Sequence, residues 1–421
     1  VVEIAVIAAV LAVTALVRDR VSGWPLTGPM IFVVAGMTLG PDGVELFEVR
    51  LDNESISLVA ELTLALLLFS DATRINTVQL RRSFALPARL LAIGLPLTIG
   101  LGTLMTAMLL TDLTWSEAAL VAAILAPTDA ALGHAVVSDT RVPVLVRQSL
   151  NVESGLNDGL VVPAVALFAI VAAGDEIEGA GSLIREALVE IGLGVALGVA
   201  TGSIIGFACN WVADRQWTDA DGLRLVTFGG AVAGFGASVA AGGNGFIAAF
   251  VAGLVVHVVA EERAVHQSEL AEDIGQVGAA ATFFIFGALM VIPALDVASW
   301  PVVACALGTL TVGRIVPVGI ALLGAGLKAP TKLFIGWFGP RGLASMLFAL
   351  LFVAERGDEV DNLFAVVSLV VFASVMLHGI TAAPGAKRYA EWFDQHQSHE
   401  MMESEPMVEL PLRGRRRGNT D

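Results

Sequence analysis

Charge, cysteine and aromatic side chains are all scarce in this chain of 421 residues, with only 15% charged and 7% aromatic. No basic stripe with interleaved aromatics is present, which excludes a nucleic-acid-binding surface. The two cysteines, Cys209 and Cys305, fall in separate apolar stretches and are expected to be small core residues rather than a disulfide or a metal site. Paired aspartates at metal-binding spacing, Ser/His pairs and paired-Asp protease arrangements are missing, so nothing points to an intramembrane enzyme. A filter-like loop is missing as well, which argues against a channel. Met and Phe are scattered as packing residues, with no cofactor box, and no cofactor is expected.

What the chain has in abundance is apolar surface. It is 56% hydrophobic with a mean hydropathy of +0.78, more than a soluble domain carries. The pattern predicts an all-α polytopic membrane protein of about thirteen transmembrane helices. The spans lie near 1–17, 25–40, 56–72, 85–110, 115–137, 144–173, 182–212, 223–241, 243–260, 275–293, 299–325, 331–354 and 361–383. The Gly-rich hairpin at Ala241-Gly242-Gly243-Asn244 divides the eighth span from the ninth. The opening run lacks a basic leader and a cleavage site, so it reads as a span and not a signal peptide. With the N-terminus outside, 19 of the 24 basic residues fall on the inner side and only Arg50, Arg185 and Arg356 on the outer side. That predicts a multi-pass plasma-membrane protein, N-out and C-in. The net charge of −16 sits mostly in loops and says little about partners. Residues 386–421 read as a short, solvated cytoplasmic tail, with acids at Glu403 and Glu405 and a basic cluster at Arg413–Arg417.

Against that background the sixth span is anomalous. It holds Asn151-Val152-Glu153-Ser154-Gly155-Leu156-Asn157-Asp158-Gly159 at membrane depth, where acids face a bundle interior or cavity and mark an ion or proton path. On a helix Glu153 and Asn157 share a face, as do Ser154 and Asp158, about 100° away. Gly155 and Gly159, also four apart, are expected to let another backbone approach. Asp158 is the expected site of alternate cation and proton binding, since burial disfavours a bare carboxylate.

Two more anomalies accompany it. Pro127 interrupts the fifth span just before Thr128 and Asp129, and Ile335-Gly-Trp-Phe-Gly-Pro-Arg-Gly342 interrupts the twelfth. If spans 1–6 and 8–13 are repeats, both breaks fall in the fifth helix of their repeat. The offset of seven makes the repeats inverted, and paired broken helices point to a transporter site. Asp129 and Arg341 are then placed to offset half-helix dipoles, with a charge in the cytoplasmic funnel as the alternative for Arg341. Arg314, the other buried cation, needs a carboxylate partner; Glu153 is the first choice, with Arg341 a rival for Glu153. Glu61 reads as a capping or packing acid, His257 and His378 as core or interface residues, and His134 as a weak candidate for pH sensing.

Thr128-Asp129, Glu153-Ser-Gly-Leu-Asn157-Asp158, Gly313-Arg314 and Gly339-Pro-Arg341-Gly342, in that order on these spans, resemble the NhaP/eukaryotic-exchanger branch of the monovalent cation:proton antiporters. The resemblance covers residues 1 to about 385. It implies an NhaA-like antiporter fold with two inverted six-helix repeats and crossing broken helices. It also implies exchange of Na+, or Li+, for H+ by alternating access. Asp158 is implied as the exchanging carboxylate. Ser154 and the Thr128 carbonyl are implied as cation ligands. Asn157 and Asp129 complete the site, with Glu153 paired to Arg314 and steadying Asn157. One titrating carboxylate, where the electrogenic branch has two adjacent Asp residues, suggests electroneutral 1:1 exchange. Family members are typically homodimers, which implies a core bundle at about 85–173 and 299–383 moving against a scaffold at about 1–72 and 182–293. K+/H+ exchange is the alternative. Cation-coupled uptake of an organic solute is a lesser one, since few aromatics or extra donors are present to hold a larger ligand.

Overall fold

The computed structural model describes residues 2–21, 26–44, 54–73, 85–129, 132–173, 180–260, 266–356 and 361–396. Among them there is no strand, and the helices form thirteen segments in the places the apolar runs predict. They are α1 (Val2–Val21), α2 (Gly28–Leu39), α3 (Glu54–Thr73) and α4 (Ala85–Leu109). Next come α5, broken into α5a (Trp115–Ile124) and α5b (His134–Val137), and α6 (Val144–Ala173). Then follow α7 (Ala180–Asp214), α8 (Ala220–Ala240), α9 (Gly245–Ala260), α10 (Glu269–Asp296) and α11 (Trp300–Ala321). The last are α12, broken into α12a (Ala329–Trp337) and α12b (Leu343–Arg356), and α13 (Asp361–His396). Seven of these are long and apolar enough to cross a bilayer on length and composition.

Helix ends follow from local chemistry. Thr114 and Glu117 close a reciprocal capping box at the start of α5a. The Asn244 side chain accepts from the amides of Phe246 and Ile247 to start α9, and Gly242, at φ +76°, turns the chain out of α8. The Gly-rich hairpin is therefore a true boundary.

The packing repeats itself. α2 lies along α10 and α9 lies along α3, pairs that exchange under a shift of seven helices. α3 meets α10 and α4 meets α11, each helix touching its own counterpart. This is the packing expected of two six-helix repeats. α7 stands outside both and docks on α9 through Gly194, Gly198, Gly202 and Gly206, spaced four apart. A Cβ at Gly202 falls 2.5 Å from the Ala252 carbonyl, so only glycine permits this approach. Cys209 and Cys305 are both buried and free.

Three features depart from the sequence reading. The last helix does not stop near 383; it runs through Pro384 to His396, with Tyr389 and Phe393 buried. The Tyr389 ring stacks on Phe334 at 4.1 Å and its hydroxyl meets that of Thr331 at 3.0 Å, binding the end of α13 to α12a. Residues 397–421, expected to be a solvated tail, lie outside the described residues. α11, expected as one span, breaks at Thr311. Arg147, one of the cations counted on the inner side, is buried at the start of α6 and donates to the carbonyls of Val142 (2.9 Å) and Val137 (3.4 Å).

The loop between α5b and α6 carries a bidentate pair, Arg141 Nη2 to Asp139 Oδ2 at 2.7 Å and Nε to Oδ1 at 3.0 Å. Hydrogen bonding from Arg141 holds the Asp139 carboxyl below its usual 3.8, with the charges of Arg141 and Arg147 adding to the effect. A carboxyl whose folded value is lowered adds stability above the unfolded value and loses it as pH falls through the folded one. Asp139→Asn is therefore expected to lower the unfolding midpoint in detergent at neutral pH, and the deficit should close as pH drops below 3.8. A deficit independent of pH contradicts the linkage. Gly202→Leu is expected to cost about 1–3 kcal/mol by overpacking the α7–α9 seam, read as a lower midpoint; an unchanged midpoint contradicts the close approach.

Candidate functional site

The two broken helices cross, and each supplies what the other lacks. α5a ends at Ile124 and the chain runs irregularly through Pro127 to Asp129, because proline can neither donate nor fit the preceding turn. α12a ends at Trp337, and Phe338 to Gly342 lead irregularly into α12b. The Asp129 amide donates to the Pro340 carbonyl at 2.7 Å. Its carboxylate Oδ2 accepts from the Leu343 amide at 2.9 Å, the first residue of α12b. The Ser345 hydroxyl donates to the Ile124 carbonyl at 2.7 Å. Arg341, fully buried, sends Nη1 to the carbonyls of Pro127 (3.4 Å) and Gly339 (3.3 Å). An acid therefore lies at the amide end of α12b and a guanidinium beside the carbonyls that follow α5a, which matches the sign of each helix dipole. Gly342 makes the crossing possible, since a Cβ there would overlap the Asp129 carboxylate.

α6 runs beside this crossing. Glu153 and Arg314 form a bidentate pair, Nη1 to Oε1 at 2.6 Å and Nη2 to Oε2 at 2.7 Å, with both side chains 3% exposed or less. Arg314 lies in the first turn of the helix that restarts after Thr311, where a cation is disfavoured; the Glu153 carboxylate offsets both the guanidinium and the helix end. Glu153 thus meets Arg314, and Arg341, its rival, is engaged with carbonyls instead. Thr128, buried at the α5 break, meets the Ser154 hydroxyl at 2.8 Å and accepts from Asn157 Nδ2 at 2.8 Å. Asn157 is thus held by Thr128 rather than by the expected Glu153. Its Oδ1 is buried without a hydrogen-bond partner among the described residues. Asp158 is half-buried on the next position of α6. The structure so brings Thr128, Asp129, Glu153, Ser154, Asn157, Arg314 and Arg341 into one connected crossing, with Asp158 beside it.

Other expectations fared unevenly. Gly159 faces the Phe250 ring of α9, not a backbone, and Gly155 meets nothing within 4 Å. Glu61 and Asp71 are half-buried on α3. His257 Nδ1 lies 2.8 Å from the Thr73 carbonyl, a helix-end contact. The His134 side chain lies outside the described residues. Sequence reasoning did not single out Ser345 or Ser374, although Ser374 accepts from the Arg341 amide at 2.6 Å. The one available signal was a serine four residues before His378 on an apolar helix.

Chemically, the crossing holds three acids (Asp129, Glu153, Asp158) and two bases (Arg314, Arg341). Charges brought this close in a low-dielectric place interact strongly.

Comparison with known proteins agrees with this architecture. The family described as "Sodium/hydrogen exchanger, transmembrane" matches residues 6–388. The K(+)/H(+) antiporter NhaP2 of Shewanella baltica is 27% identical over 364 residues, 85% of this chain and 62% of that protein. The K(+)/H(+) antiporter NhaP of Alkalimonas amylolytica is 24% identical over 380 residues, 89% of this chain and 64% of that protein. The chain thus spans under two thirds of the length of these relatives. The sodium proton antiporter MjNhaP1 from Methanocaldococcus jannaschii at pH 8 superposes with a TM-score of 0.76 at 19% identity, covering 92% of this chain and 98% of that one.

Removing one member of a buried pair strands the other charge, whereas replacing both by apolar residues does not. Glu153→Met is therefore expected to cost about 3–5 kcal/mol, and the double variant Glu153→Met/Arg314→Met distinctly less. Unfolding midpoints in detergent check this. A double variant no more stable than the single one contradicts the pairing.

Proposed function

The chain belongs to the sodium/hydrogen exchanger family, and from that premise we propose that it exchanges a monovalent cation for a proton across the membrane at Asp158. The observation that carries the proposal is the Thr128–Ser154–Asn157 cluster at the α5 break, buried next to Asp158 on α6, with the Asn157 Oδ1 acceptor unmatched among the described residues. Asp129 is committed to the α12b amide and Glu153 to Arg314. Asp158, half-buried on the position after Asn157, is the acid to which this reading gives the exchanged ion. Proton and cation then compete for the same carboxylate. The neutralised site crosses an apolar barrier at lower cost than the bare one.

The Ser154 hydroxyl and the Thr128 main-chain carbonyl complete the cation's coordination with water, and the buried Asn157 Oδ1 is a further acceptor. The Thr128–Ser154–Asn157 hydrogen bonds hold these groups in register. Because one unit of charge is exchanged for one, transport is electroneutral. The moving part is the bundle around the crossing, about 85–173 and 299–383. The remaining helices, about 1–72 and 182–293, form the scaffold and the homodimer contact. The protein lies in the plasma membrane with its N-terminus outside and its C-terminus in the cytoplasm.

Na+ is the cation of the first reading, supported by the likeness to an archaeal sodium proton antiporter. K+ is the second, supported by relatives named K(+)/H(+) antiporters. Proteoliposomes with a trapped pH dye discriminate them. Na+, Li+ or K+ added outside is expected to drive proton movement that ignores membrane potential and disappears in Asp158→Asn. The cation that does so at the lowest concentration names the substrate. Undiminished exchange in a folded Asp158→Asn overturns the site.

A further inference from the structure

α13 turns Ser374, His378 and Thr381 toward α12, at spacings of four and three that share one helix face. Their contacts straddle the α12 break. On one side, Trp337 ends α12a: its carbonyl lies 2.9 Å from His378 Nε2, and its indole Nε1 donates to Thr381 Oγ1 at 3.1 Å. On the other side, the Arg341 amide donates to Ser374 Oγ at 2.6 Å. Between them, His378 Nδ1 lies 3.2 Å from Ser374 Oγ. The imidazole is buried and its ring lies 5.1 Å from that of Trp337.

These distances impose a direction on the protons. A carbonyl oxygen can only accept, so Nε2 carries the hydrogen toward Trp337. In a neutral ring Nδ1 then accepts. Its donor is the Ser374 hydroxyl, whose oxygen already receives the Arg341 amide. The result is one directed chain: Arg341 N–H to Ser374 O–H to His378 Nδ1, and Nε2–H to the Trp337 carbonyl. Nδ1 also lies 3.0 Å from the Ser374 carbonyl, so a doubly protonated ring donating to both carbonyls is the competing arrangement.

We propose that Ser374 and His378 are positioning residues for the exchange site, a neutral-imidazole latch on α13 that sets the span of the α12 break and with it the place of Arg341. The proposal rests on the exchange reading above. Arg341 carries one of the two positive charges at the crossing and reaches the Pro127 carbonyl of α5 from this backbone position. A shift of its amide therefore reaches both breaks. Thr128, which follows Pro127 directly, is a cation ligand in that reading.

Two measurements test it. The first does not depend on transport: ¹⁵N NMR of histidine-labelled protein in lipid nanodiscs at neutral pH, with His378 assigned by its loss in His378→Gln. One protonated nitrogen, Nε2, and a bare Nδ1 are expected. A doubly protonated ring, or a proton on Nδ1 alone, overturns the latch. The second is cation-dependent exchange in proteoliposomes for Ser374→Ala, His378→Leu and His378→Gln, compared at equal amounts of folded protein. Ser374→Ala and His378→Leu are expected to raise the apparent KM for the cation about fivefold, the equivalent of one hydrogen bond. His378→Gln keeps an N–H donor for the Trp337 carbonyl and should restore most of the affinity. An unchanged KM in Ser374→Ala, or Leu and Gln variants that behave alike, overturns the positioning role. If the unmodified protein exchanges no cation, the exchange reading fails, and the NMR result alone judges the latch.

Discussion

A peptide group in hydrocarbon must find its hydrogen-bond partner inside the protein, and nowhere is that harder than where α5 and α12 break. The two helices answer the constraint jointly. Asp129 lends its amide to one carbonyl of the other break and its carboxylate to the first amide of α12b. Ser345 and Arg341 return the favour to Ile124 and Pro127. Neither break is tenable without its partner, so the crossing behaves as one unit. Everything proposed about the site depends on that unit holding its shape.

Electrostatics then narrow the chemistry. A guanidinium in the first turn of a helix, away from water, demands a carboxylate, and Glu153 answers with both oxygens. Asp129 is committed to a helix end. The exchange reading assigns Asp158 to the transported ion, with Thr128, Ser154 and Asn157 tied together beside it. In that reading, fixed charges of both signs lie near a position where one charge comes and goes, which is the requirement for coupling two cations that never bind at once.

Much of this was legible beforehand. Apolar runs interrupted by charge mark thirteen helices because lipid admits little else. Pro127 and Gly339-Pro340 mark the two breaks because proline cannot continue a helix. Arg314 predicts a partner because an unpaired charge at that depth is too costly. What misled were features in which local chemistry and packing disagree. The polar run after about residue 385 made the end of α13 look like a tail, although Tyr389 and Phe393 are buried and Tyr389 stacks on Phe334 of α12a. Arg147 looked like an ordinary inner-side cation, although it answers carbonyls of the preceding turn. Gly159 looked like a seam residue, although the true glycine seam is on α7.

The sequence by itself determined the helical class, the order of the helical segments among the described residues, the position of both breaks and the identity of the acids and bases in the apolar stretches. These follow from composition and from the covalent properties of single residues, which act wherever the chain goes. Only the tertiary structure decided which carbonyl each donor reaches, that Arg314 rather than Arg341 takes Glu153, that Asn157 is held by Thr128, and that α13 braces the second break. Those choices depend on distances between residues up to 221 positions apart, as between Ser345 and Ile124. Spacing along the chain carries no information about them.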